Sequence, residues 1–228
     1  MPETLAAYPP LSRHWQGLDV LARGANRLCA RDPDDADACL KFELSAAERT
    51  PAGLRERLRR RLARQVDTLG ENALELRAYR RLHARWSEET QQVFAACEAR
   101  VDTRWGRALR CRLVREADGQ PARSLYAHLF EHTSFSATSL CDEVDRIEAW
   151  LLAHQVPLFD LNAGNFVVAD HGGRPRLICV DAKSTLAGKE LLPFSRWSSR
   201  LMQRKIARRA ERLRQRIRYA LAERAPPL

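Results

Sequence analysis

Apolar positions in the first fifty residues recur in short alternating runs, the period-two pattern of strands whose side chains face opposite sides of a sheet. "GLDVLA" from Gly17, "LCA" from Leu28 and "CLKFEL" from Cys39 each predict a strand, parted by the turn-like "RGANR" and "RDPDDADA". Lys41 falls in the middle of the third strand. The period then lengthens. Thr50-Pro51, a capping residue followed by proline, opens a predicted helix in which Leu54, Leu58, Leu62 and Val66 recur. Gly70 interrupts it, and "ENALELRAYRRLHARW" predicts a second helix carrying Leu74, Leu76, Tyr79 and Leu82. "QQVFAACEARV" and "ALRCRLVRE" read as paired strands across "DTRWGR", and "ADGQPARS" as a linker.

Helical spacing dominates the second half of the chain. "LYAHLFEH" predicts a short helix, and Ser139 a cap for a longer one, with Asp142 favouring its N-terminus and Leu140, Val144, Ile147 and Leu151 as the buried stripe. "FDLNAGN" reads as a loop, "FVVA" and "LICV" as strands around the tight turn "DHGGRPR". A last helix runs from about Arg200 to Glu223, with Ile206, Ala210, Leu213, Ile217 and Leu221 on one face. The order predicts an α+β chain: a strand-rich first domain over residues 15–117 with a helix pair, then a mostly helical domain over residues 118–228 with one β-hairpin.

Composition narrows the classes. No run of 18 apolar residues occurs, which argues against a membrane span, and "MPETLAAYPPLSRHW" lacks the basic start and apolar core of a signal peptide. The six cysteines form no C-x-x-C pair and suit a reducing cytoplasm, as small buried side chains, better than a disulfide frame or a zinc site. Of the net charge of +10, +9 lies from Ser195 onward, so the basicity belongs to the C-terminal helix. That favours packing with a solvated basic face, then contact with an anionic membrane surface; a nucleic-acid partner ranks below both.

Phosphoryl transfer from ATP needs a lysine on phosphate oxygens, an acid to hold that lysine, two oxygen ligands for Mg2+ and a carboxylate facing the acceptor hydroxyl. The chain supplies them in order: Lys41 on a strand, Glu75 on the next helix with Glu71 one turn earlier as a competitor, Asp160 and Asn165 in one loop, and Asp181 at the end of a strand. The Asp-x-x-x-x-Asn spacing lets one loop serve two targets, and the hairpin returns Asp181 to the same edge.

The segments "DLNAGNFVV", "VDAKSTLAGKELLPFSRWSSRLMQRKIARR" and "DACLKFEL" with "LELRAYRRL" resemble the YrbL family of bacterial kinase-like proteins, named for the PhoP regulatory network. The resemblance implies a two-lobed protein-kinase-like fold in which Lys41 contacts phosphates, Glu75 pairs with it, and Asp160 is the catalytic-loop carboxylate. It implies Mg2+ on Asn165 and Asp181, ATP covered by the loop containing Gly24, and adenine held by backbone groups near Glu116 and Ala117. Against a protein-kinase pattern, Gly24 is the single glycine of its loop, Leu158-Phe159 replace His-Arg, Asn162 replaces lysine, and Ala182-Lys183 replace Phe-Gly.

The expected function is therefore ATP/Mg-dependent phosphotransfer to an unidentified hydroxyl, small-molecule or lipid-linked rather than protein, in the cytoplasm or at the periphery of the inner membrane. One alternative is a pseudokinase, a regulatory nucleotide-binding module without turnover. Another is a basic membrane-surface or nucleic-acid adaptor. "HLFEH" also matches an H-x-x-E-H zinc-peptidase pattern, which requires His128 and His132 on one helical face.

Overall fold

The computed structural model describes residues 8–50, 70–186 and 198–223. The helix expected at 50–66 and the "LLPFSRW" segment ending at Trp197 lie outside the described residues, apart from Thr50. The chain divides into two compact units, one of Met1–Arg81 with Ala96–Leu113, the other of Leu82–Ala95 with Val114–Leu228. Residues 82–95, read from sequence with the first domain, thus pack with the second.

The first unit is built on an antiparallel sheet of five strands: β1 (Val20–Arg23), β2 (Arg27–Arg31), β3 (Ala38–Glu43), β4 (Cys97–Thr103) and β5 (Gly106–Arg112), in the order β1-β2-β3-β5-β4. β3 is central and has neighbours on both edges. One of its faces carries Leu40 and Phe42, which join Leu28, Ala30 and Ala108 under Trp15, Leu44 and Trp105. The other carries Cys39 and Lys41, with Cys29 across from Lys41 on β2, and Leu109 and Cys111 across on β5. Because both faces are covered, β3 is buried from Ala38 to Phe42, and Lys41 is only 7 % exposed.

Glu48 fastens the N-terminal segment to this sheet. Its carboxylate accepts hydrogen bonds from the Ser12 N–H (2.9 Å), Trp15 Nε1 (2.7 Å), the Ser45 N–H (3.1 Å) and Ser45 Oγ (2.6 Å). Helix α1 (Glu71–Trp86), with the bounds its apolar spacing predicts, docks on β3 through its first turn. The Asn72 N–H donates to Glu43 Oε1 at 2.9 Å, and Asn72 Nδ2 donates to the Lys41 carbonyl at 2.7 Å. A Cβ on Gly70 would lie 2.7 Å from Glu43 Oε1, so a larger residue there would push the Glu43 carboxylate off the Asn72 N–H.

Two sequence expectations shift here. The strand expected from Gln91 begins only at Cys97, because residues 87–92 form a 3₁₀ turn entered through Ser87 at φ +45°. The expected linker is an ordered turn: Arg115 bridges Pro121, the Glu116 N–H donates to the Gln120 carbonyl (2.8 Å), and the Gly119 N–H donates to the Glu116 carbonyl (3.0 Å).

The second unit holds α2 (Leu125–Phe130), α3 (Ala137–Ala153), the hairpin β6 (Phe166–Asp170) and β7 (Pro175–Cys179), and α4 (Ser199–Ala222). α3 is capped by Ser136, whose Oγ accepts the Ser139 N–H at 3.0 Å, so the cap stands one turn before the expected Ser139. The expected stripe of Leu140, Val144, Ile147 and Leu151 is buried, and α3 packs against α4, which buries Met202, Ile206, Ala210, Leu213, Ile217 and Ala220. Ala220 thus takes the inner place expected for Leu221, which is half-buried. Arg214 Nη1 meets Asp145 at 2.6 Å and Glu148 at 2.7 Å, drawing part of the basic face of α4 onto acids of α3.

The hairpin is clamped by α3. Glu143 Oε2 accepts the Leu177 N–H at 2.9 Å, Arg146 Nη2 donates to the Leu177 carbonyl at 2.9 Å, and Arg146 and Glu143 pair with each other at 2.8 Å. On the far side of β7, Cys179 exchanges backbone bonds with Val93 (2.7 Å) and Ala95 (2.9 Å). Both anchors lie within four residues of Asp181. Among the described residues no helix is long and apolar enough to cross a membrane.

Candidate functional site

In the first unit, burial and pairing convert a mid-strand lysine into a held cation. Lys41 Nζ lies 2.7 Å from Glu75 Oε1, with the lysine and glutamate side chains 8 % and 1 % exposed. Arg27, at the start of β2, also reaches Glu75, through its Nη1 and Oε2. Burial alone would raise the Glu75 pKa, but the Arg27 and Lys41 charges override it and hold it at about 2. Burial likewise pulls Lys41 down, but Cys111, Glu75 and Cys97 outweigh it and leave its pKa well above the ordinary lysine range. The competition between Glu71 and Glu75 resolves towards Glu75: Glu71 instead accepts from Asn26 Nδ2 at 2.8 Å and lies 3.6 Å from Arg27. Arg27 escapes a reading of the sequence, because an arginine beside a turn carries no signal of a buried partner 48 residues away.

Gly24 lies exposed in the β1–β2 turn, where its N–H donates to the Arg27 carbonyl at 2.9 Å. A Cβ there would meet that carbonyl at 3.8 Å, an ordinary contact, so the turn itself makes no demand for glycine. Glu116 and the exposed Ala117 lie in the turn before α2, in which both backbone groups of Glu116 are already hydrogen-bonded.

In the second unit, the loop after α3 is laced by its own polar side chains. Asn162 Nδ2 donates to Asp160 Oδ1 (2.8 Å), Asn165 Nδ2 donates to the Asp160 carbonyl (3.0 Å), and Asn162 Oδ1 accepts the Gly164 N–H (3.0 Å). These bonds hold Asp160 by its side chain and its backbone at once. The Val180 N–H donates to the Asn165 carbonyl at 2.8 Å, joining the loop to the residue before Asp181. Asp160 and Asn165 are thus joined directly, and Asp181 follows the residue that is bonded to Asn165. Asn162, which stands out in the sequence only as a departure, is the residue that orients Asp160.

Lys183 is the other residue whose role the sequence does not reveal. Its Nζ lies 2.7 Å from Asp181 Oδ2, and its N–H donates to Oδ1 at 3.2 Å. The site residues fit a hard divalent cation: the donors are carboxylate and amide oxygens, and Asp181 already holds a positive group. Asn165, whose amide N–H end is turned to Asp160, would present its oxygen, and Asp181 its carboxylate, once Lys183 moves aside.

The zinc-peptidase alternative loses its geometry. α2 ends at Phe130, leaving Glu131 and His132 exposed beyond the helix. His128 is 1 % exposed, with Nδ1 3.2 Å from Thr133 Oγ1 and its ring against Phe135. Burial first, then the Arg123 charge, lowers its pKa.

A five-stranded antiparallel sheet whose central lysine pairs with the next helix, and after it a helical unit with a loop-and-hairpin carboxylate network, define a kinase-like fold. The family model for the PhoP regulatory network protein YrbL matches residues 15–218, and the chain belongs to that family. Among solved structures it is similar to the PknI kinase domain of Mycobacterium tuberculosis: a double mutant at 13 % identity and TM-score 0.44, covering 92 % of this chain and 73 % of that one. A single mutant of the same domain gives 13 % identity and TM-score 0.43 over 86 % and 71 %. An apo pseudokinase gives 10 % identity and TM-score 0.43, covering 92 % of each chain. No curated protein matches the chain.

Proposed function

We propose that the protein is an ATP- and magnesium-dependent phosphotransferase acting on a hydroxyl of a small-molecule or lipid-linked acceptor. The observation that carries this reading is the buried Lys41–Glu75 pair at 2.7 Å. Desolvating two charges costs several kcal/mol per ion, and an apolar pair of similar volume is often no less stable, so stability alone is a weak reason to keep it. A lysine held by an acid on the following helix suits the grip on phosphate oxygens. Asp160, oriented by Asn162, would face the acceptor hydroxyl; Asn165 and Asp181 would hold magnesium, which when bound offsets charge on the phosphates.

The second reading, a nucleotide-binding module without turnover, is favoured by the Lys183 ammonium on Asp181 at 2.7 Å. Thermal unfolding with ATP, with and without Mg2+, separates the two when Asp181→Asn is run alongside. Ligand at about a hundredfold over its Kd adds about 2.7 kcal/mol, which for a chain of this size raises the midpoint by roughly 5–11 °C. A magnesium-dependent rise lost in the variant, with ATP consumed when acceptor hydroxyls are supplied, supports the enzyme. A rise indifferent to magnesium and without turnover supports the binding module. No rise at saturating ATP sinks both.

A further inference from the structure

Four of the six cysteines, none of which is in a disulfide, lie on the sheet face that carries Lys41: Cys29 on β2, Cys39 on β3, Cys111 on β5 and Cys97 on β4. Cys39 stands directly opposite Cys111, and Cys111 directly opposite Cys97. The Arg112 N–H donates to the Ala96 carbonyl at 2.9 Å, which makes the next pair along, Cys97 and Cys111, a non-hydrogen-bonded pair. Such pairs bring their side chains closer than hydrogen-bonded ones. Their sulfurs are 3.3 Å apart, and Cys97 Sγ is 3.9 Å from Glu75 Oε1. The ligand atoms of Glu75, Cys97 and Cys111 all lie within 4.8 Å of one another.

We propose that Cys97, Cys111 and Glu75 form a binding site for a borderline-soft divalent cation of the Zn2+ class. Metal–sulfur bonds of about 2.3 Å and metal–oxygen bonds of about 2.0–2.2 Å imply ligand–ligand edges of roughly 3.4–3.8 Å in a tetrahedron. The two spacings of 3.3 and 3.9 Å straddle that range and the third, between Cys111 and Glu75, is within 4.8 Å, so the set closes on one ion with shifts of up to about 1 Å. Two sulfurs with one carboxylate select zinc over the hard cations that suit the all-oxygen set of the second unit. Cys39, opposite Cys111 in the strand register, lies outside this group of ligand atoms, which leaves the fourth position to a non-protein ligand.

The charges balance. Two thiolates, Glu75 and Glu71 carry four negative charges, and Lys41, Arg27 and a divalent ion carry four positive ones; Arg27 touches both glutamates. Binding releases the two thiol protons, so affinity rises with pH. Glu75 Oε1 would then be shared between the ion and Lys41, tying metal occupancy to the grip on the lysine.

The test is a titration of untagged, fully reduced protein with Zn2+ alone, and with Co2+ to report sulfur ligation through its sulfur-to-metal charge-transfer absorption. One ion per chain is expected, with that absorption present and Cys97 and Cys111 protected from alkylation. Cys97→Ser and Cys111→Ser should each weaken binding at least tenfold, and Cys141→Ser, in α3, should leave it unchanged. Circular dichroism of the metal-free variants establishes that each is folded, and Glu75→Gln provides a third ligand variant should one serine variant fail to fold. Absence of the charge-transfer band, or equal affinity in the folded ligand variants and the wild type, overturns the proposal. ATP binding plays no part in this readout, so the two proposals fail separately.

Discussion

Lys183 places its ammonium 2.7 Å from Asp181 Oδ2 and its own N–H 3.2 Å from Oδ1, so one residue meets both oxygens of the carboxylate expected to bind magnesium. In the kinase-like reading this is an internal cation competing with the metal. The pair is partly exposed, at 22 % and 12 %, so its worth is about 1 kcal/mol or less. Lys183→Ala should therefore strengthen magnesium binding severalfold, read as the Mg2+ concentration that gives half the ATP-dependent rise in midpoint. Unchanged or weakened magnesium dependence would show that Lys183 does not compete.

The Lys41–Glu75 pair makes a larger prediction. Glu75→Ala leaves Lys41 and Arg27 facing a buried gap, and breaking such a pair typically costs about 3–5 kcal/mol. The midpoint should fall on the order of 6–20 °C. Glu71→Gln should cost less, because Glu71 lies 3.6 Å from Arg27 and the glutamine oxygen can still accept the Asn26 hydrogen bond. In a double-mutant cycle, Lys41→Met with Glu75→Gln should cost less than the sum of the single changes. Additive costs would show that the two charges act independently.

The range of each interaction decides whether a sequence can reveal it. The bounds of α1, the stripe of α3 and the order of the strands are set by local periodicity, and they match the structure. Asp160, Asn165 and Asp181 are legible because their spacing within one loop and hairpin is itself the signal. Arg27, Asn162 and Lys183 are not: their roles depend on partners reached through rotamers and turns, which residue type alone does not specify. Sequence places the cap of α3 at Ser139 because two serines one turn apart satisfy the same pattern. Only the geometry, with Ser136 Oγ on the Ser139 N–H, chooses between them. Likewise the cysteines read as scattered along the chain, and strand pairing is what sets Cys97, Cys111 and Cys39 side by side.

Glu48 predicts an acid limb to the stability curve. Burial would raise its pKa, but hydrogen bonds from Ser45, Ser12 and Trp15 outweigh it and lower it to about 2, from an ordinary value of 4.5. A carboxylate depressed in the folded state contributes stability that is fully present above the unfolded value and is lost as pH falls through the folded one. The contribution is on the order of 3 kcal/mol at neutral pH and should fade between about pH 4.5 and 2. Urea unfolding across that window should show a shallower decline for Glu48→Gln than for the wild type, with the variant already less stable at pH 7. Parallel curves for the two proteins would exclude this role.

The clamp of α3 on β7 links packing to the candidate site. Glu143 takes the Leu177 N–H and Arg146 the Leu177 carbonyl, four residues before Asp181, while the two side chains hold each other at 2.8 Å. Charge-assisted bonds of this kind are worth roughly 1.5–3 kcal/mol. Glu143→Ala removes the acceptor and leaves Arg146 to hold the strand alone. Hydrogen exchange at the Leu177 amide should quicken by about tenfold or more, each tenfold corresponding to about 1.4 kcal/mol. The magnesium dependence of ATP binding should weaken with it, because Asp181 sits at the end of the loosened strand. Exchange in β3 around Lys41 should stay as in the wild type, since that strand belongs to the other unit. Loss of protection in both units would mean that the variant destabilises the whole fold, and the clamp would lose its claim to position Asp181.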